Sequence, residues 1–155
     1  MPEFPYYCRA LRGATLVGAN EPEDILGRTR RLLAVMAHVN QIDSQDIAAA
    51  FFTATDDLNA VFPAAAARQI GWTDVPVMCA REIDVSGAPR RCVRVMLLWN
   101  TKKQQRDLVN VYLEGAGDLR PDEPALPSVD WEAIDRWIEE RRCEYENNMG
   151  TKQRT

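Results

Sequence analysis

The chain has 155 residues, of which 46% are hydrophobic and 27% charged, with a formal net charge of -4. That length and balance fit one globular domain and exclude chain-wide disorder. No apolar run approaches the ~18 residues of a membrane span, and the acidic balance offers no broad cationic face for nucleic-acid phosphates.

Counts of the reactive residues exclude more. The single histidine, His38, rules out histidine triads, dyads and multi-histidine metal sites within one chain. The cysteines Cys8, Cys79, Cys92 and Cys143 form no C-x-x-C pair, which excludes zinc-ribbon and thioredoxin-like chemistry. Residues 1–13 lack the charged, then apolar, then small pattern of a secretory leader, so reduced thiols and a cytoplasmic protein are expected. The chemistry is expected to need no metal, disulfide or histidine base.

In chain order, residues 6–17 read as a first strand. Glu21-Pro22-Glu23-Asp24 reads as a helix start, with proline in the first turn and acids at the positive end of the helix dipole. Ile25, Leu32, Leu33, Met36 and Val39 recur at helical spacing to about residue 41. Arg28, Arg30 and Arg31 are expected on the solvated side of that helix, with His38 a surface or capping residue. Ser44-Gln45-Asp46 breaks the pattern. Residues 47–54 form a short buried strand and Thr55-Asp56-Asp57 a loop. The alanine-rich stretch 59–70 predicts a helix, with Pro63 tolerated only near its start and Gly71 as its stop.

Residues 75–80 read as a strand and residues 86–89 as a turn. Residues 92–99 alternate and are strongly β-prone. Residues 102–107 form a polar connector with one helical turn, residues 109–113 a further strand, and Gly115-Ala116-Gly117 a loosening of the chain. Pro121, Pro124 and Pro127 mark a linker. Ser128 then serves as a candidate N-cap for an amphipathic helix carrying Trp131, Ile134, Trp137, Ile138, Arg141 and Tyr145 on one stripe. A polar, frayed tail is expected from Asn147. The order predicts an α+β fold, a mixed β-sheet with packed helices.

Two arginines sit in apolar strand-like settings. On the strand 92–99, Cys92, Arg94 and Met96 share one face, and Arg12 lies in the strand 6–17. An arginine there needs a carboxylate partner or a ligand anion, and Glu82, just past the strand 75–80, is a candidate partner or a second site group.

Several separated motifs stand in one register. They are Arg12-Gly13-Ala14-Thr15, the run from Thr53-Ala54-Thr55-Asp56-Asp57 to Phe62-Pro63-Ala64, and Gly71-Trp72 followed by Val75-Pro76-Val77-Met78-Cys79. Glu82-Ile83-Asp84-Val85-Ser86-Gly87, Cys92-Val93-Arg94-Val95-Met96, Val111-Tyr112-Leu113-Glu114 and Leu119-Arg120-Pro121-Asp122 continue them. Over residues 8–122 the chain resembles monofunctional chorismate mutases of the trimeric, barrel-like α/β type.

The resemblance implies a Claisen [3,3] rearrangement of chorismate to prephenate, in which an ether C–O bond breaks as a C–C bond forms, with no cofactor or proton transfer. It implies a homotrimer whose subunits form a pseudo-α/β-barrel, with sites between subunits. Arg94 would stabilise charge on the ether oxygen, Arg12 and Tyr112 would hold the side-chain carboxylate, and Glu82 would accept the ring hydroxyl. Cys79 would line the same side of the pocket as Glu82. Phe62 would form an apolar wall with Val77, Met78 and Leu119 nearby, and Arg68 and Arg120 would steer a dianion. Residues 1–122 would be the catalytic domain, and residues 123–155 an appended linker and helix.

The chain departs from that family at Ala65, where a lysine is frequent, at Met78, where threonine is usual, at residues 115–118, and in its last helix. The departures leave open a related enolpyruvyl substrate, such as aminodeoxychorismate, and a non-catalytic trimeric binding subunit.

Overall fold

The structure, a computed structural model, describes residues 5–152. The end of the expected polar tail, residues 153–155, lies outside the described residues. Five strands form one mixed sheet, as the sequence order predicts. The strand β4 (Cys92–Thr101) runs antiparallel to both β1 (Tyr7–Leu16) and β2 (Ile47–Ala54). β3 (Val77–Arg81) pairs parallel with β2, and β5 (Val111–Leu113) parallel with β1, giving the order β3-β2-β4-β1-β5.

Alternation along the strands decides which face is covered. Leu11, Phe52, Val95 and Leu97 point to one side, where they are buried with residues of α1 (Pro22–Asn40), α2 (Ala65–Gln69) and α3 (Trp131–Lys152) in one core. Phe51, Thr53, Arg94, Met96 and Arg12 point to the other side, which no α-helix covers among the described residues, and each keeps solvent exposure. Among the described residues no helix is long and apolar enough to cross a membrane.

α1 begins where Pro22, Glu23 and Asp24 predict. It approaches β1 so closely that a Cβ built on Gly13 would lie 2.5 Å from Met36 Sδ and 3.1 Å from Leu32 Cδ1. The basic cluster of α1 departs from expectation. Arg30 is buried rather than solvated, because its guanidinium donates to Glu23 at 2.6 Å and to Gln69 at 2.6 Å. A buried guanidinium with two acceptors ties α1 to α2. His38 is exposed as expected. It packs edge-on against Trp137 with ring centroids 5.2 Å apart.

The predicted helix 59–70 shrinks to α2 alone. Pro63 cannot donate within a helix, and the backbone N–H groups of Asn59 and Ala60 instead donate to Asn20 Oδ1 at 3.0 Å each. Gly71 still closes the segment, at a φ of 87°, which favours glycine. Two strands start later than predicted. Pro76 has no N–H for the ladder, although its carbonyl still accepts from the Ala50 N–H at 2.9 Å, and Val109 is diverted to the side chain of Asn40, its N–H donating to Oδ1 at 2.8 Å. The 115–117 segment does not loosen the chain. Residues Ala116–Leu119 make a tight 3₁₀ turn with Ala116 fully buried.

The last helix is present, but Asp130 caps it in place of Ser128, accepting from the Ala133 N–H at 3.0 Å. It continues to Lys152 rather than fraying from Asn147. Ile134 and Ile138 enter the main core, each burial contributing roughly 2 kcal/mol, which is why the stripe at that spacing was legible.

Two stability changes follow from this packing. Gly13→Ala should lower unfolding free energy by about 1–3 kcal/mol in urea titration, because the core beside it is already filled. The hydrogen bond from Arg30 holds the Glu23 carboxyl below its ordinary value of 4.5. A lowered folded-state pKa stabilises above that ordinary value and its contribution fades as pH falls. Glu23→Gln should therefore cost about 1 kcal/mol at neutral pH, modest because Glu23 is exposed, and the deficit should narrow below pH 4.5.

Candidate active site

Strand register assembles a row across the uncovered face. Thr53 of β2 pairs with Arg94 of β4, Arg94 with Ala14 of β1, and Ala14 with Tyr112 of β5. The neighbouring row runs Met78, Phe51, Met96 and Arg12. Between these rows and the Ala116–Leu119 turn lies a cleft of about 310 Å³, within the size range of small-molecule sites.

Arg94 stands at the middle of the sheet. Its Nε lies 3.4 Å from Glu82 Oε2, and the Thr53 hydroxyl donates to that same oxygen at 2.7 Å. Glu82, just past β3, is mostly buried, whereas Arg94 is 42% exposed at its side chain. The pairing expected for Arg94 is therefore made, and Thr53 fixes the carboxylate's direction. The Arg94 Nε is buried with no hydrogen-bond acceptor among the described residues, while the exposed part of the side chain lines the cleft, where its terminal N–H groups can donate. The segment after β3 is held by Arg90, which meets Asp56 at 2.7 Å and Asp84 at 3.3 Å.

Arg12, Tyr112, Leu119 and Arg120 occupy the other end of the same cleft. Burial pushes the Tyr112 phenol above its ordinary value, against the opposing pull of Arg12, so at neutral pH it is a hydrogen-bond donor. Arg120 is gripped by Asp122 through two nitrogens, at 3.0 and 2.9 Å. Arg12 and Arg120 each lie 3.6 Å from Glu123. Two guanidiniums and a phenol at one end suit an anionic oxygen group, and a guanidinium beside a carboxylate in the middle suits a group that both accepts and donates hydrogen bonds.

The remaining candidates are elsewhere. Phe62, Arg68, Val77, Met78 and Cys79 line a separate hollow of about 370 Å³, with Ala65 and Tyr145 of α3. It shares no lining residue with the cleft. Cys79 pairs with Phe52, whose side chain is on the covered side of the sheet, so within one chain it does not reach Glu82. Burial raises the pKa of its thiol, leaving it neutral at pH 7.

Sequence reasoning missed Thr53, Phe51, Met96 and Ala14 as cleft residues. The period-two pattern of residues 47–54 carries the signal for Phe51 and Thr53, since both alternate with the buried Phe52. Ala14 has no chemical signature and is placed only by its register between Arg94 and Tyr112.

Known proteins resemble this chain over most of its length. The family model for chorismate mutase type I matches residues 8–123. A chorismate mutase AroH of Thermus thermophilus is 48% identical over 115 residues, covering 74% of this chain and 94% of that protein. A chorismate mutase AroH of Bacillus subtilis (strain 168) is 43% identical over 115 residues, covering 74% of this chain and 91% of that protein. Among solved structures, a chorismate mutase from Clostridium thermocellum superposes with a TM-score of 0.69 at 47% identity, covering 70% of this chain and 97% of that one. With a sheet whose register lines up Arg94, Ala14 and Tyr112, and a family match across the whole of it, the chain belongs to the chorismate mutase type I family.

Proposed function

We propose that this protein is an enzyme that rearranges chorismate to prephenate by holding the substrate compact and meeting developing charge with fixed cations. The observation that carries the reading is the cleft itself, where Arg94 beside Glu82 faces the same space as Arg12, Arg120 and Tyr112. In the reaction the enolpyruvyl ether C–O bond breaks while a C–C bond forms, so the product keeps every atom of the substrate. Holding the enolpyruvyl arm over the ring removes much of the entropic barrier. Arg94 donates to the ether oxygen as it gains negative charge, the kind of preorganised stabilisation that acts most strongly in the transition state. Arg12 and Tyr112 bind the side-chain carboxylate. Glu82, with one oxygen taken by Thr53, accepts the ring hydroxyl at the other. The identities of 43% and 48% to chorismate mutases do not favour an aminodeoxychorismate substrate or a non-catalytic subunit.

The site is completed between copies of the chain in a homotrimer of barrel-like form. Two observations support this. The candidate residues fall into a cleft and a hollow that share no lining residue, as two halves contributed by neighbouring subunits would. Phe51, Met78 and Met96 also form an exposed apolar row on the uncovered face, with Met78 62% exposed, and such patches mark association surfaces. In that assembly Phe62, Val77, Met78 and Cys79 of one subunit wall the cleft of the next, and Arg68 adds positive potential. Leu119 closes the cleft from its own chain. Residues 1–122 are the catalytic unit and the linker and helix of residues 123–155 an addition to it, of which, among the described residues, only Glu123, the last residue of the family match, reaches the cleft arginines. The compartment is the cytoplasm, which suits four free cysteine thiols. Prephenate serves phenylalanine and tyrosine synthesis.

Purified protein should consume chorismate without added metal, followed by loss of its absorbance, with prephenate identified as the product. Arg94→Ala should lower kcat on the order of a thousandfold, and unchanged turnover would refute its role. Light scattering should give three chains per particle. Co-expression of Arg94→Ala with Arg68→Glu, one damaging the cleft and the other the hollow, should restore about a quarter of wild-type activity through mixed interfaces, and no recovery would place both halves in one chain.

A further inference from the structure

The far wall of the cleft contains a carboxylate that the rearrangement does not use. Glu123 Oε1 stands 3.6 Å from one amino nitrogen of Arg12 and 3.6 Å from one of Arg120. The same oxygen accepts a hydrogen bond from Asn110 Nδ2 at 2.9 Å. Asn110 Oδ1 in turn accepts from the backbone N–H of Arg12 at 2.8 Å. The contacts close a ring running from the Arg12 backbone through Asn110 and Glu123 to the Arg12 guanidinium.

The ring has a firm base. Val109, next to Asn110, is clamped by the buried side chain of Asn40 through bonds of 2.8 and 2.9 Å. The Glu123 backbone N–H donates to the Arg120 carbonyl at 3.0 Å, and its side chain is only 16% exposed. Arg120 has a second acid in Asp122, whereas Glu123 is the one carboxylate within ion-pair distance of Arg12 among the described residues.

Two guanidiniums that must face one point repel each other, and an exposed arginine has many rotamers in which to escape. An anion between them opposes both tendencies. At 3.6 Å the contacts to Glu123 are ion pairs and not hydrogen bonds, so the N–H donors of Arg12 stay available to a ligand while their direction is set.

We propose that Glu123, anchored by Asn110, is a positioning residue that presents Arg12 and Arg120 as a preformed pair to the substrate's side-chain carboxylate. The inference rests on the carboxylate-binding role given to Arg12 above. Glu123 touches no reacting atom, so its effect falls on binding.

The test uses the full-length protein. Glu123→Gln, which keeps the shape and removes the charge, should raise KM roughly tenfold and change kcat by less than about twofold. Prephenate, titrated calorimetrically as a probe of the same subsite, should bind more weakly by a similar factor, with the melting temperature unchanged. Glu123→Asp should recover most of the loss. A wild-type or lower KM with unweakened prephenate binding in Glu123→Gln would overturn the proposal, as would a fall confined to kcat. Arg12→Ala separates the two levels. If it raises KM while Glu123→Gln does not, only the positioning role fails, and if Arg12→Ala itself has wild-type KM, the role of Arg12 fails with it.

Discussion

An arginine on the central strand of a sheet must be kept charged, aimed and accessible, and the arrangement around Arg94 meets all three demands. The helices α1, α2 and α3 gather on the opposite face, while on the Arg94 face Cys92 and Ala14 are buried against Ala116 and Arg94 and Met96 keep solvent exposure. The nearest acid to Arg94, Glu82, is held by Thr53, which keeps the ion pair from collapsing into a saturated salt bridge. A fully engaged pair would stabilise the fold little and leave nothing for a ligand. The loose 3.4 Å contact keeps the guanidinium oriented while its donors remain open to the cleft.

Much of this was legible in the sequence, and for stated physical reasons. Cys92, Arg94 and Met96 share a face because strand side chains alternate, and nothing in the tertiary structure disturbs that rule. The stripe of α3 was readable because Ile134 and Ile138 recur at helical spacing and both reach the core. The resemblance to chorismate mutases rests on motifs in the strands and in the loops that follow them. What failed was local propensity where tertiary contacts outweigh it. Alanine content argued for a helix from residue 59, yet Asn20 captures the N–H groups that would start it. Charge argued for a solvated Arg30, yet Glu23 and Gln69 make burial tolerable. Ser128 has the right chemistry for a cap, but Asp130 stands at the actual helix start.

The candidate site was legible as a set of residues and not as a set of neighbours. A linear motif carries no information on which half of a shared site a residue belongs to. Cys79 and Glu82 are three positions apart, yet strand alternation sends them to different surfaces. The ring of Arg12, Asn110 and Glu123 is invisible for a related reason. Arg12 stands more than ninety positions from Asn110 and Glu123 along the chain and is brought to them by the parallel pairing of β1 and β5. The added helix α3 likewise reads as an accessory in sequence, while in space Tyr145 borders the hollow with Arg68 and Cys79.

The position of Ala14 between Arg94 and Tyr112 has a metric consequence. Those two side chains stand on strands separated by one intervening strand, so backbone hydrogen bonding sets their roots about 9–10 Å apart. Between them Ala14 contributes only a methyl group, itself buried with Cys92 and Ala116. The cleft is thus calibrated by the pleated sheet, whose spacing is among the least deformable lengths in a protein. Rotamers of Arg12 and Arg94 can adjust the grip at either end, while the gauge between the ends belongs to the main chain.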